Sequence, residues 1–365
     1  MKTDPRQLKE TVRALTAALR EEAALLAAVT VMHVCGTHEH EIGRHALRQL
    51  LPANVRLVAG PGCPVCITPA AAIATAIKLA LHPARPIVCA YGDIVKTPIQ
   101  SGSLFDARGD GADVRVVYDL HEPAELARRH PDRTVVFFSI GFETTAAPVA
   151  AMLLGDLPPN FTIYTCHRYV PAAVEALAAG GEDAISGYLL PGHAAVITGQ
   201  VAYQFLADKY RLPSAVAGFA AADILAGLLS IVRQLRRGEP TVANCYRQVV
   251  RPEGNRRAQE VMDRVFTRAD AAWRGIGMLP GTGLVLREPF RRYDALSRLG
   301  VAEETGVEDV MPGCQCHLIM VGRREPEQCG LFGGLCTPDH PRGPCMVGGE
   351  GACRAHYLYP EDPHE

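Results

Sequence analysis

The chain has 365 residues, 48% of them hydrophobic, with 37 Lys and Arg against 39 Asp and Glu and a formal net charge of -2. Such a hydrophobic share supplies packed cores for two or three domains and excludes a disordered chain. The near balance of charge leaves no basic face for a polyanion, so nucleic acid is excluded as a partner.

Residues 4–28 read as an N-terminal helix, with Leu8, Val12, Leu15 and Leu19 recurring at helical spacing. The apolar stretch at 23–34 is too short to span a bilayer and no signal peptide is visible, so a cytoplasmic protein with reduced thiols and no membrane partner is expected. Short runs rich in Val, Ile and aromatic residues follow at 29–34, 55–59, 86–91, 114–118, 134–140, 161–165, 185–190 and 214–217. Helix-forming stretches at 68–81, 124–130, 145–154, 172–179, 194–209 and 221–237 lie between or after most of them. This alternation predicts an α/β protein with mainly parallel sheets, divided into tandem α/β domains at 1–125 and 126–240. A third region, 241–365, departs from the pattern: 256–268 reads as a helix, 273–286 as a glycine-rich hairpin, and the chain from 311 onward is rich in Cys, Gly and Pro. Gly275-Ile276-Gly277 is not a dinucleotide loop, because Pro280 stands where the third glycine is needed, and no phosphate-binding Gly-Lys-Ser/Thr loop occurs.

Cys35-Gly36-Thr37-His38-Glu39 and Gly60-Pro61-Gly62-Cys63-Pro64-Val65-Cys66 each join an apolar run to a helical pattern. A cysteine at a helix mouth feels the positive end of the dipole, which lowers its pKa and favours the thiolate. Cys63 and Cys66 form a CxxC that suits either a dithiol redox pair or half of a metal site, and His38 suits a ligand, a proton donor or a polar neighbour. His38-Glu39-His40-Glu41-Ile42 is not a zinc-protease motif, since Ile42 replaces the second histidine. Gly141-Phe142-Glu143-Thr144 and Pro191-Gly192-His193 also follow strands, and parallel sheets bind ligands at such strand ends. Cys35, Cys63, Cys66, Glu143 and His193 are therefore expected around a shared cleft, although each loop taken singly is better explained as a tight turn.

Six of the twelve cysteines, Cys314, Cys316, Cys329, Cys336, Cys345 and Cys353, crowd into a tail with little apolar sequence for a core. Zinc and an iron-sulfur cluster both draw thiolates together and gain folding energy from it; the irregular intervals favour a cluster over paired zinc knuckles. Cys89 and Cys166 lie in expected strands and read as small core residues, and Cys245 has no motif around it. His33 reads as a hydrogen-bonded core histidine, while His121, His130, His356 and His364 read as surface or terminal residues.

With these strings in place, together with Gly343-Pro344-Cys345-Met346-Val347 and Glu350-Gly351-Ala352-Cys353, the chain resembles the hydrogenase maturation protein HypD family over nearly its whole length. The resemblance implies two similar α/β domains plus a loop-rich C-terminal domain holding a 4Fe-4S cluster. It implies a scaffold on which the Fe(CN)2CO group of NiFe-hydrogenases is assembled, working with a HypC-type small chaperone and a HypE-type cyanide donor. Such a protein is an assembly scaffold with redox activity rather than a conventional turnover enzyme. Carried across, Cys35 is the main thiolate for an iron bearing cyanide and carbon monoxide, Cys63 and Cys66 are a redox pair beside it, His38 tunes Cys35 or shuttles a proton, and Glu143 orients groups in the cleft. Cys316, Cys329, Cys336 and Cys353 are the expected cluster ligands, with Cys345 and Cys314 in reserve; His317 stands where the family commonly has glycine. Two other readings use the same residues differently: an iron-sulfur thiol-disulfide oxidoreductase acting on a protein disulfide, and a zinc-stabilised interaction protein.

Overall fold

The computed structural model describes residues 5–180 and 185–360. Its strands, in chain order, are β1 (Val29–His33), β2 (Val55–Ala59), β3 (Ile87–Ala90), β4 (Asp113–Val116), β5 (Val135–Gly141), β6 (Phe161–Arg168), β7 (Gly187–Pro191), β8 (Ser214–Ala217), β9 (Val242–Asn244), β10 (Phe266–Trp273) and β11 (Gly277–Leu286). They form a five-stranded sheet in the order β2-β1-β7-β8-β9 and a six-stranded sheet in the order β10-β11-β6-β5-β3-β4. Every pairing in the first sheet is parallel, and in the second only β11 runs antiparallel to its neighbours. The expected α/β class with mainly parallel sheets is what is found.

The division at residue 125 is not. β1 and β2 pair with strands that arrive after residue 186, through Val31↔Gly187 to His33↔Leu189, and not with β3 or β4. Each sheet is thus assembled from two separated stretches of chain, and the polypeptide crosses from one sheet to the other after β2, β6 and β9. Apolar periodicity marks where a strand lies, but pairing is a long-range choice that leaves no local trace. Gly187 shows what the choice requires: a Cβ there would stand 2.5 Å from the Pro213 carbonyl oxygen, so β7 fits between β1 and β8 only with glycine.

The strands are buried because helices cover both faces, as parallel sheets demand. All residues of β3, β5, β7 and β8 are buried. Over the first sheet the helix Pro5–Ala23 packs on Ala221–Arg237, burying Leu19, Ile224 and Leu228, while Glu22 pairs with Arg233 at 2.9 Å and Arg236 at 2.7 Å. The single helix expected at 194–209 is broken into Gly192–Thr198 and Phe205–Asp208. Gly199 breaks it at φ 81, where any side chain would strike the Pro252–Gly254 backbone. The glycine-rich stretch is β11 and its turn, but the hairpin starts earlier than expected: the helix read at 256–268 stops at Val265 and β10 begins at Phe266. No described helix is long and apolar enough to cross a membrane.

The tail is held by short pieces: the helices Cys316–Ile319 and Ala352–Leu358 and the 3-10 turns Pro326–Gln328 and Pro344–Met346. It does not stand apart as a domain. Ala352–Leu358 lies on the helix Gly36–Arg44, and Pro344–Met346 lies on the helix Pro64–Ile67.

Candidate functional site

The site begins with strand register. β1 and β2 run parallel with His33 opposite Ala59, so their chains leave the sheet side by side. Gly60 N donates to His33 O at 2.8 Å and Gly36 N to Gly62 O at 3.0 Å, pressing the two loops together. Gly62 makes this approach possible, because a Cβ there would fall on the backbone N and Cα of Cys35. Cys35 precedes the helix Gly36–Arg44, and Cys63 caps the helix Pro64–Ile67, its Sγ accepting from Cys66 N at 3.2 Å. Pro64 suits the first helical position, where no amide hydrogen is needed. Cys63 and Cys66 are joined as a disulfide, with Cα atoms 5.2 Å apart.

A thiolate-favouring Cys35 is not what this environment produces. Burial pushes the thiol up to about 12, outweighing the Thr37 and His38 amides that lower it, and the Glu350 carboxylate adds to the rise. The helix mouth supplies hydrogen bonds, but burial governs the proton. Beside it, burial pushes the His38 imidazole down to about 3, so the ring is neutral. His38 Nε2 lies 2.9 Å from Gly218 O, an acceptor only, so Nε2 carries the hydrogen and donates it. The buried Nδ1 is then a bare acceptor without a partner. Phe219 stands between His38 and His193, stacked on His193 with ring centres 3.8 Å apart. Thr37 Oγ1 donates to Glu350 Oε1 at 2.8 Å, which brings the tail to the rim of the Cys35 loop.

Glu143 hydrogen-bonds to the next loop and not to the Cys35 loop, although Tyr203 interacts with both residues. Gly141, at φ +147, ends β5, and the helix Glu143–Leu153 starts with the carboxyl fully buried. Its Oε1 accepts from Val170 N at 2.7 Å and its Oε2 has no partner, while burial raises it to about 8. The geometry makes it a neutral link between β5 and the turn after β6. A second buried carboxyl has the opposite state. Burial raises Glu39, but Arg48 and His33 overcome this and hold it well below the usual carboxylate range. Arg48 Nη2 donates to both carboxylate oxygens at 3.0 and 2.9 Å, His33 Nε2 hydrogen-bonds to Oε2, and His356 Nε2 stands 3.1 Å from Oε1. His33 is therefore the hydrogen-bonded core histidine expected. His356 is a correction: it is buried, not at the surface, because the tail helix lies on Gly36–Arg44 and turns this residue toward Glu39. Of the others, His121 is exposed and His130 half-buried. Cys89 and Cys166 are core residues, Cys245 is half-buried, and His364 lies outside the described residues.

The six tail cysteines line one small cavity with Leu331, Phe332, Gly343 and Met346. All are buried, and Cys314 and Cys345 each hydrogen-bond Cys316. Among the described residues no three His, Cys, Asp or Glu side chains stand in ready coordinating geometry; the thiols meet one another instead. The donor set nevertheless fits an iron-sulfur cluster: soft sulfur ligands, an apolar wall, a glycine whose Cβ would lie 2.6 Å from Cys314 Sγ, and a buried guanidinium, Arg274, with Nη1 unpartnered. Cys63 and Cys66 belong to the same buried cluster as these thiols. Arg274, Phe219 and His356 were not legible as site residues. Only His356 carried a signal, three residues beyond Cys353 on one helix face.

Comparison with known proteins agrees with this arrangement. The family model HypD, described as the Hydrogenase formation hypA family, matches residues 10–360. The chain is 40% identical over 361 residues to the hydrogenase expression/formation protein HupD of Azotobacter chroococcum, covering 96% of this chain and 94% of that protein. It is also 40% identical over 361 residues to the hydrogenase maturation factor HypD of Azotobacter vinelandii, with the same coverage. With the factor of that name from Escherichia coli it shares 37% over 372 residues, 99% of each chain. Near-complete coverage in both directions, on a fold that brings the quoted cysteine strings together, shows that this chain belongs to the HypD family.

Proposed function

We propose that this hydrogenase maturation factor works as a scaffold, holding an iron atom on Cys35 while cyanide and carbon monoxide are placed on it. One observation carries the reading: the Cys35 loop and the Cys63–Cys66 turn are locked together at the ends of adjacent strands, with a thiol-lined cavity packed directly behind the CxxC helix. The buried Cys35 thiol keeps its proton until a cation arrives, and then exchanges one for the other. His38 contributes a buried Nδ1 acceptor without a partner, and its neutral ring cannot compete as a cation. Thr37, His193 and Glu350 line the rim that a partner must cover. We assign the partners as a HypC-type chaperone, whose own thiol completes the grip on iron, and a HypE-type protein that brings the cyanide carbon as a thiocyanate.

Freeing cyanide from a thiocyanate consumes two electrons. The dithiol form of Cys63 and Cys66 supplies two electrons and two protons as it closes to the disulfide. Cys316, Cys329, Cys336 and Cys353 are the assigned ligands of a 4Fe-4S cluster, which would supply one-electron chemistry when bound; Cys314 and Cys345 hydrogen-bond within the set. The placement of Cys63 and Cys66 in the same buried cluster as the tail thiols supports exchange between the two.

Infrared spectroscopy of the full chain purified with its partners tests the reading. Bands of iron-bound cyanide and carbon monoxide are expected from wild type and not from Cys35→Ala, whose absorbance near 400 nm should be unchanged. Hydrogenase activity supported by Cys35→Ala in cells would reject the scaffold role.

A further inference from the structure

Among the described residues Arg274 is the largest charged side chain below 2% exposure, at 1%, and nothing above requires a cation there. It occupies the tight turn between β10 and β11, followed by Gly275 at φ +68. Its backbone N donates to Ile67 O at 2.9 Å, the last residue of the CxxC helix. Nε donates to Asp309 O at 2.8 Å and Nη2 to Pro98 O at 2.9 Å. Both acceptors are neutral carbonyls. The Asp309 carboxylate, which would be the obvious counterion, is turned to other work: Oδ1 accepts from Ala70 N at 2.8 Å and Oδ2 from Gly275 N at 3.0 Å. Nη1 is buried with no partner. The groups that interact electrostatically with the guanidinium include Cys316, Cys345 and Cys314 alongside the Asp309 carboxylate.

A permanently charged group whose hydrogen-bond acceptors are neutral carbonyls, with one nitrogen buried and unpartnered, is costly in the interior unless enough negative charge stands near it. Cys316, an assigned ligand, and the cage it joins become that charge on binding metal, since a coordinating thiol is deprotonated. We propose that Arg274 is the fixed countercharge of the tail's sulfur cage, a positioning residue that stabilises the added negative charge when the group held there is reduced. The inference rests on the cluster reading above and adds a residue to it. Because Arg274 also holds Ile67, the same side chain and backbone span the cage and the CxxC helix, fixing one relative to the other.

The full-length protein, prepared without oxygen, is compared as wild type, Arg274→Gln and Arg274→Lys. Iron and acid-labile sulfide are counted, and the band near 400 nm is bleached by dithionite in the presence of redox mediators. Each one-electron reduction adds one negative charge, so removing the cation should lower the midpoint potential. At the potential where wild type is half reduced, Arg274→Gln should be about one-tenth reduced or less, as a buried charge within several ångströms dictates. Arg274→Lys should restore most of that reduction. Arg274→Gln that titrates like wild type overturns the inference while leaving the cluster reading intact. Should Arg274→Gln fail to fold, Arg274→Lys decides: a cluster held near the wild-type midpoint supports the countercharge, and a chain that loses its cluster with lysine shows that only the hydrogen bonds mattered. A wild-type chain without iron and sulfide would remove the cluster reading itself, and the inference with it.

Discussion

Glu39 sits at the centre of a charge group drawn from three places: β1 through His33, the short helix Leu47–Leu50 through Arg48, and the tail through His356. Removing one member of a buried ion pair strands the rest, at a typical cost of about 3–5 kcal/mol. His356 makes the group sensitive to pH. Burial works against its protonation, but hydrogen bonds to Glu327 and Glu39 win and raise it to about 9 from an ordinary 6.5. A raised folded pKa means that the stabilisation is complete below pH 6.5 and disappears as pH climbs through about 9. Urea unfolding of the wild type should therefore show a midpoint that falls between pH 7 and pH 10, and His356→Gln should flatten that fall while lowering the midpoint at pH 7. Equal pH slopes in the two proteins would count against the pairing. At this scale the sequence was an uneven guide. It marked Cys35, Cys63, Cys66 and His38 by their strings, but their protonation depends on burial, which no string records: the helix mouth argued for a thiolate at Cys35 and the folded loop produces a neutral thiol.

At the scale of elements, the strand-to-helix loops are the working parts, and their glycines do the fitting. Gly62 has no ordinary turn to justify it; its missing side chain is the space that Cys35 occupies. Gly62→Ala must push the two loops apart, so a loss of about 2 kcal/mol or more in stability is expected, along with loss of the iron capture proposed for Cys35. The comparison to make is thermal unfolding beside the infrared bands of the complex; retention of both would show that the loops tolerate separation. The buried parallel strands up to β8 were legible as apolar runs, and β11 with its turn by its glycines; β10, half exposed and without glycine, was not, and its start falls in the stretch read as helix. The helix interruption at Gly199 was not, since the apolar pattern runs through it and only the packed Pro252–Gly254 backbone reveals why it must stop.

For the whole molecule, the tail behaves as a strut and not as an appended module. It touches the Cys35 helix through Ala352–Leu358, the CxxC helix through Pro344–Met346, and the Cys35 rim through Glu350. With so little apolar sequence of its own, it would draw its shape from the cluster proposed above. Stripping iron with a chelator, or replacing Cys336 and Cys353 together by serine, should lower Tm by about 5–15 °C and expose residues 311–360 to protease ahead of the two sheets. Simultaneous cleavage throughout the chain would contradict this order of release. What the sequence could not convey at this scale was the interleaving, because the partner of each strand is chosen far from where the strand is written.

That interleaving governs how the molecule must be born. As the polypeptide emerges from a ribosome, β1 and β2 can pair with each other, but the other edge of β1 has no neighbour until β7 is synthesised, and the sheet is not finished until β9. Meanwhile β3 to β6 can zip together in the interval. The later half of the first sheet must then thread back to a waiting pair, so the strands that lead into the cysteine loops spend the longest time with a naked flank. Chaperone demand during synthesis, and vulnerability of premature thiols to oxidation, belong to that interval and not to the finished fold.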